Sequence, residues 1–284
     1  MAINMKRIAH VIIVALVFLL TQVSSSVHSA SIKSGETIKD VQAEGACAIV
    51  GISAEQSQLT ALQRARAAAI EQAAGVSVSS GTLVTNYVVA ADFIKTYAKG
   101  FIVAEKVSWL PLGQYQKDVS TAPIPEYRVR IIADVYIPEK KAKPLGLRAR
   151  LNNTVFRAGE KAVVTLKTAK ESHIAIFNIM ADDRVSLLFP NQHEQGNYLA
   201  AEKEFIFPAR GAKVDLEMQT LPGHRKDAEA IFVIAWDSGQ EIEIMKMFTP
   251  LEPVPFGDFF KRLAEIAEHC EDVILPYEVV AGQK

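Results

Sequence analysis

The sequence predicts an α+β fold in which a helix-on-antiparallel-sheet domain is followed by a mostly β, sandwich-like domain with a C-terminal helix. Three observations carry this. Residues 54–74 are an alanine-rich helical run; Tyr127, Val129, Ile131, Ala133, Val135 and Ile137 alternate with a mostly polar face led by Arg128, Arg130 and Asp134. From Arg148 onward, short apolar runs recur with turn residues between them, the spacing of an antiparallel sheet or sandwich.

The chain opens with an export pattern. Lys6 and Arg7 form a basic start, Ile8 to Leu20 an apolar run, and Thr21 to Ala30 a short stretch of small and polar residues. The apolar run is shorter than the roughly 20 residues that span a bilayer. Residues 1–30 are therefore read as a signal peptide, removed by cleavage between Ser26 and Ser31, with no stable membrane anchor afterwards and a periplasmic or secreted location. The first cysteine is Cys47, so no acylated lipoprotein cysteine stands near the cut.

Residues 31–138 form the expected first domain. Val41 to Gly51 reads as a strand. Ser53 with Gln56 three residues on is a capping box for a helix that ends at Ala74, with Gly75 as the left-handed stop. Leu59, Leu62, Ala65, Ala69, Ile70 and Ala73 lie near one side, which suits close approach to a sheet, with Arg64 and Glu71 in water. Val76 to Val84 favours extended chain, and Val89 to Ala98 reads as a short helix. Phe101 to Leu110 and Tyr127 to Ile137 are strands joined by a long loop containing Gly113, Pro123 and Pro125.

Residues 139–147, which follow Pro138 and contain Pro144, are charged and lack periodicity, so they read as a linker. Residues 148–284 form the expected second domain. Its strands are placed at Lys161 to Thr168, Ile174 to Met180, Val185 to Phe189, Glu204 to Phe207, Val214 to Gln219, Ile231 to Trp236 and Glu241 to Phe248. Asp258 caps a final helix from Phe259 to about Val273 that Pro276 ends, with Tyr277 to Val280 as a last strand. Cys270 then falls on that helix, on the stripe of Phe259, Leu263, Ile266, Ala267 and Ile274. Cys47 shares an extended face with Val41, Ala43 and Ile49. Both cysteines read as small buried hydrophobes rather than as a disulfide pair.

Composition excludes some partners. The chain is 49% hydrophobic and 22% charged, as a packed globular protein is, and its formal charge of −1 falls to −3 without Lys6 and Arg7. The basic footprint of a nucleic-acid binder is missing. No histidine pair has zinc-site spacing, Asp182-Asp183 lack the rest of a calcium loop and read as turn formers, and no G-x-S-x-G or phosphate-cradling glycine loop occurs. His193 and Glu194 read as ordinary loop residues. The sequence thus points to no enzyme, cofactor or metal. Trp109, Tyr115 and Tyr127 flank the long loop and are the candidate partner contacts, although core packing accounts for such aromatics as well. Lys140, Lys141 and Lys143 read as solvated.

Two resemblances add to this. Ala65 to Ser80 (ARAAAIEQAAGVSVSS), then Leu83-Val84 and Gly100-Phe101-Ile102 before the alternating strand, resemble the N-terminal domain of flagellar assembly protein T over about residues 41–137. That resemblance implies a helix packed on an antiparallel sheet in a periplasmic protein that helps build a ring at the flagellar base. The rest of the chain does not look like that family's remaining domains. The second half resembles domain of unknown function family 4384, through Ala158-Gly159-Glu160-Lys161, the paired run from His173 to Asn191, and Asn197-Tyr198-Leu199 leading into EFIFP. His173 stands where that family commonly has an aromatic residue. This resemblance implies a mostly β accessory domain with no catalytic residue to carry over. Together these readings point to a non-enzymatic exported envelope protein that acts through protein–protein contacts as an assembly or accessory factor, with a flagellar connection implied by the first resemblance and its protein partner unnamed. The alternative is a module binding peptidoglycan or another envelope glycan.

Overall fold

The computed structural model describes residues 35–75, 99–116, 118–139 and 144–282. The signal pattern, the extended and helical stretches expected between residues 76 and 98, and Lys140, Lys141 and Lys143 lie outside them. The described chain is β-rich, and residues 32–284 form one compact unit.

The first sheet contains β1 (Glu36–Ala48), β2 (Phe101–Trp109), β3 (Gly113–Tyr115) and β4 (Ile124–Ile137). β4 is central, with β1 on one side and β2 then β3 on the other, all antiparallel. The expected long loop is therefore largely a continuation of the hairpin. β3 resumes pairing where β2 stops and carries it as far as Tyr115 opposite Ile124. Alternation explains the sheet's two faces: Val41, Ala43, Cys47, Val129, Ile131 and Val135 are buried, while Glu44 and Arg130 pair across the wet face at 2.6 Å.

The buried face is covered by α1 (Ala54–Ala73). Its capping box forms as expected: Gln56 N donates to Ser53 Oγ, and Ser53 N donates to Gln56 Oε1, each at 3.1 Å. At the other end Gly75 takes φ +67° and donates its N–H to Gln72 O, a conformation that costs a residue without Cβ little. Ala61, Ala65, Ala69, Ile70 and Ala73 are buried, and Gly45 lies beneath them. A Cβ on Gly45 would overlap Ala61 O and stand 2.5 Å from Ala65 N. Small residues on both elements thus let the backbones touch. Leu59 and Leu62 are only half-buried, and Arg64, expected in water, is half-buried and donates to Ala46 O.

The second part holds β5 (Arg148–Leu151), β6 (Val155–Arg157), β7 (Val164–Lys167), β8 (Ser172–Ile179), β9 (Arg184–Phe189), β10 (Tyr198–Leu199), β11 (Phe205–Phe207), β12 (Lys226–Asp237), α2 (Ile244–Met247), β13 (Val254–Pro255), α3 (Phe256–Ala264) and β14 (Cys270–Val280). One sheet has the order β13-β9-β8-β12-β14-β6, with β10 also on β8; a smaller one has the order β11-β7-β5. β12 runs buried through almost its whole length because both its faces are covered. Ile231, Val233 and Ala235 face a core shared with Val164, Leu166 and Phe207 of the small sheet. Phe232, Ile234 and Trp236 face the other way, into a core with Phe177, Phe256, Phe259 and Phe260.

That second core also contains Ala61, Ala65, Ile131 and Val135. One apolar cluster therefore crosses the expected boundary at 139–147, with Phe101 of β2 stacked on Phe260 of α3 at 5.4 Å. Leu145 and Leu147, assigned by sequence to the linker, are buried in the small-sheet core, and Leu145 N donates to Glu271 Oε2 at 2.6 Å.

Several expectations need correction. Residues 241–248 contain a short helix, α2, rather than a strand. Residues 214–219 form no strand beyond a single bridge between Lys161 and Glu217. The final helix is 256–264, with Asp258 inside its first turn and Pro255 at the cap. Cys270 opens β14, which runs straight through Pro276 and pairs with β12 from Lys226 to Trp236. Both cysteines are buried and unbonded, and burial pushes the Cys270 thiol up to about 12.

Candidate functional site

The three candidate aromatics are not one cluster. Trp109 and Tyr127 meet edge to face at 6.4 Å, with Tyr127 packed against the core and Trp109 42% exposed. Tyr115 pairs with Ile124 on β3, and among the described residues no ring contact joins it to the other two. The segments that flank the start of β4 carry other exposed apolar residues. Val50, Trp109, Leu112 and Val119 are all exposed at the end of the sheet where β4 begins, and Val119 is 95% exposed.

The hairpin tip that presents Val119 is built from its own hydrogen bonds. Gln116 Nε2 donates to Thr121 O at 2.7 Å, and Ser120 N and Oγ both donate to Asp118 Oδ1, which holds that carboxyl below its usual range. Beside it, on the wet face, a depression of about 450 Å³ is lined by Glu44, Gly45, Ala46, Gly113, Gln114, Glu126 and Arg128. None of the three candidate aromatics lines it.

Two buried polar clusters join α1 to the second part. Arg66, in the alanine face, reaches Glu105 of β2 at 2.5 Å and Asp183 at 2.6 Å, and its guanidinium lies 5.1 Å from the Phe256 ring centroid. Asp183 occupies the β8–β9 turn with φ +65°. It forms the turn as expected, but its carboxylate points inward. Burial raises the Asp183 pKa while Arg66 opposes the rise.

The other cluster centres on Asp227. Its Oδ1 lies 2.6 Å from His224 Nδ1, and its Oδ2 accepts from Leu221 N at 2.6 Å. Gln56 Nε2, beyond completing the capping box, donates to Lys226 O at 2.9 Å and reaches Asp227 Oδ1 at 3.4 Å. Close by in sequence, Glu229 accepts from Tyr277 Oη at 2.6 Å, Asn178 Nδ2 at 3.0 Å and Ala181 N at 3.3 Å. Burial is the largest cause of its raised pKa, and these donors oppose it. Sequence signals for these groups were faint. Arg66 interrupts the alanine face, and Gln56 was assigned only to the cap; partners 39 to 171 residues away leave no local spacing.

The remaining candidates are structural. Asn191 Oδ1 accepts from His193 N and Glu194 N, which closes that loop on itself. Among the described residues no group of three His, Cys, Asp or Glu side chains could hold a metal ion, and no helix is long and apolar enough to cross a membrane.

Residues 155–231 match the family described as Domain of unknown function (DUF4384). None of the curated proteins compared matches the chain. The DUF4384 region runs from β6 into the middle of β12 and includes His224, Asp227 and Glu229. Within it the His173 ring stacks on Trp236 at 5.8 Å and meets Tyr198 at 5.9 Å, and its Nδ1 lies 3.2 Å from Asn197 Oδ1.

Proposed function

We propose that this chain is a non-enzymatic exported protein of the bacterial envelope that acts as an assembly or accessory factor through protein–protein contacts. The observation that carries the reading is the collection of Val50, Trp109, Leu112 and Val119 on one end of the first sheet. Exposed apolar residues scattered singly need no explanation, whereas several gathered on one surface mark an interaction site. The self-bonded hairpin tip holds Val119 outward before any partner arrives, which limits the ordering entropy that association costs. The Lys6 to Ala30 pattern supports export. The ARAAAIEQAAGVSVSS run supports a flagellar setting, and the helix lying on the first sheet is of the kind that resemblance implies.

The test is a pull-down from the envelope fraction with wild type and with the triple variant Trp109→Ala, Leu112→Ser, Val119→Ser. These side chains are exposed, so the variant should melt within a few degrees of wild type. A protein retained by wild type and lost from the variant is the expected result. Identical retention by a variant that melts like wild type would overturn the hairpin-end reading, and a mature N-terminus at Met1 or Met5 in a cytoplasmic fraction would overturn export.

A further inference from the structure

A cleft of about 580 Å³ opens between the first turns of α1 and the segment leading into β12. Its size falls in the range of small-molecule sites, and its walls come from regions far apart in sequence, where such sites are often found. One wall is Ile52, Ser53, Gln56, Leu59, Thr60 and Gln63; the facing one includes Ala181, Arg225, Lys226, Asp227 and Ala228. The walls are braced. Gln56 ties the start of the helix to Lys226 O, and Asp227 fixes the preceding turn through Leu221 N and His224.

The bracing consumes most of the polar groups. Asp227 meets His224, Leu221 N and Gln56; Thr60 Oγ1 donates to Gln56 O; Lys226 pairs with Glu278. Two lining side chains are left over. Among the described residues neither the Arg225 guanidinium nor the Gln63 amide has a hydrogen-bonded or ionic partner. A guanidinium fork matches a carboxylate in plane and charge, an amide matches a hydroxyl or a second amide, and Ile52, Leu59, Ala181 and Ala228 offer apolar contact. We propose that this cleft binds a small carboxylate-bearing molecule with amide or hydroxyl groups, Arg225 holding the carboxylate and Gln63 the neutral polar group. The chemistry could come from a sugar acid or from the free carboxyl end of a peptide. Because the cleft and the hairpin end share no residue, the two proposals fail independently.

The test is an NMR titration of the isotope-labelled protein with four probes: N-acetylmuramic acid, its carboxylate-free counterpart N-acetylglucosamine, acetyl-Ala-Ala with a free carboxylate, and the same dipeptide as its amide. We expect saturable amide shifts at Ile52, Leu59 and Ala228 for at least one carboxylate probe at about millimolar Kd or tighter. The neutral partner should bind about tenfold more weakly, and whichever carboxylate binds names the source. Arg225→Ala should weaken binding about tenfold, Arg225→Lys less because it keeps the charge but loses the fork, and Gln63→Ala about threefold. Arg225 is exposed, so these variants should give spectra of a folded protein. The absence of saturable shifts with both carboxylates, equal binding of a neutral partner, or unchanged affinity in Arg225→Ala would each overturn the proposal.

Discussion

The apolar cluster that joins the two sheets is packed in two ways. At one end Gly45, Ala61 and Ala65 bring the backbones of β1 and α1 into contact. At the other, Phe177, Phe232, Phe248, Phe259 and Phe260 fill the space between a sheet and a short helix, Phe259 meeting Phe177 at 5.0 Å and Phe260 at 4.8 Å. Both ends are equally dry. One excludes water by removing side chains and the other by enlarging them, so the same substitution should have opposite meaning in each.

The strongest way to break this comparison is Gly45→Val. A side chain there meets main chain of α1, which cannot rotate aside, and we expect no cooperative unfolding transition by circular dichroism. Phe259→Ala is the reciprocal test: deletion of a fully buried ring should cost about 3–5 kcal/mol in urea unfolding. Ala73→Leu, at the rim of the small-residue seam, should cost about 1–3 kcal/mol by overpacking, and Glu71→Gln on the half-exposed side less than about 0.5 kcal/mol. Equal effects for that last pair would mean that α1 is not packed on its alanine face.

The smallest effect concerns polar packing on β12. Burial raises the Glu229 pKa above its unfolded value. A raised carboxyl contributes stability that is full below the unfolded pKa and is lost as pH rises through the folded one. Wild type should therefore lose stability from the ordinary carboxylate range upward relative to Glu229→Gln, which keeps the shape and cannot ionise. Parallel pH profiles of the two proteins would show that Tyr277, Asn178 and the Ala181 N–H fully offset the burial.

Features written in neighbouring residues could be read directly. The capping box at Ser53 and Gln56, the Gly75 stop and the alternation of β4 are each decided within a few positions. The run of Ile231 to Trp236 likewise reads directly as a strand, and the structure covers both its faces. The expectation that the final helix runs on to about Val273, where β14 has already begun at Cys270, has a physical source. Phe259, Leu263, Ile266, Ala267, Cys270 and Ile274 keep helical spacing, yet the helix stops at Ala264, and the eleven-residue pairing with β12 decides the rest. Residues 241–248 failed for the opposite reason, being too short for periodicity to separate helix from strand. Of the site, Trp109 and Tyr127 were foreseen as flanking the hairpin. The cleft was not, because Gln56 and Asp227 stand 171 residues apart.

The position of β14 has a consequence for how the chain becomes a protein. Residues 270–280 lie between β12 and β6, and Glu278 pairs with Val155 in the parallel direction. The recognisable family segment stops at residue 231, before this strand has been made. In chain order β6, β8 and β12 all precede the strand that fills one hydrogen-bonding edge of β12, and Phe156 precedes its Tyr277 neighbour. Contacts of such long sequence separation form late. In the interval the unfilled edge is open to pairing with other chains. Production of the matched segment alone would make that transient hazard permanent.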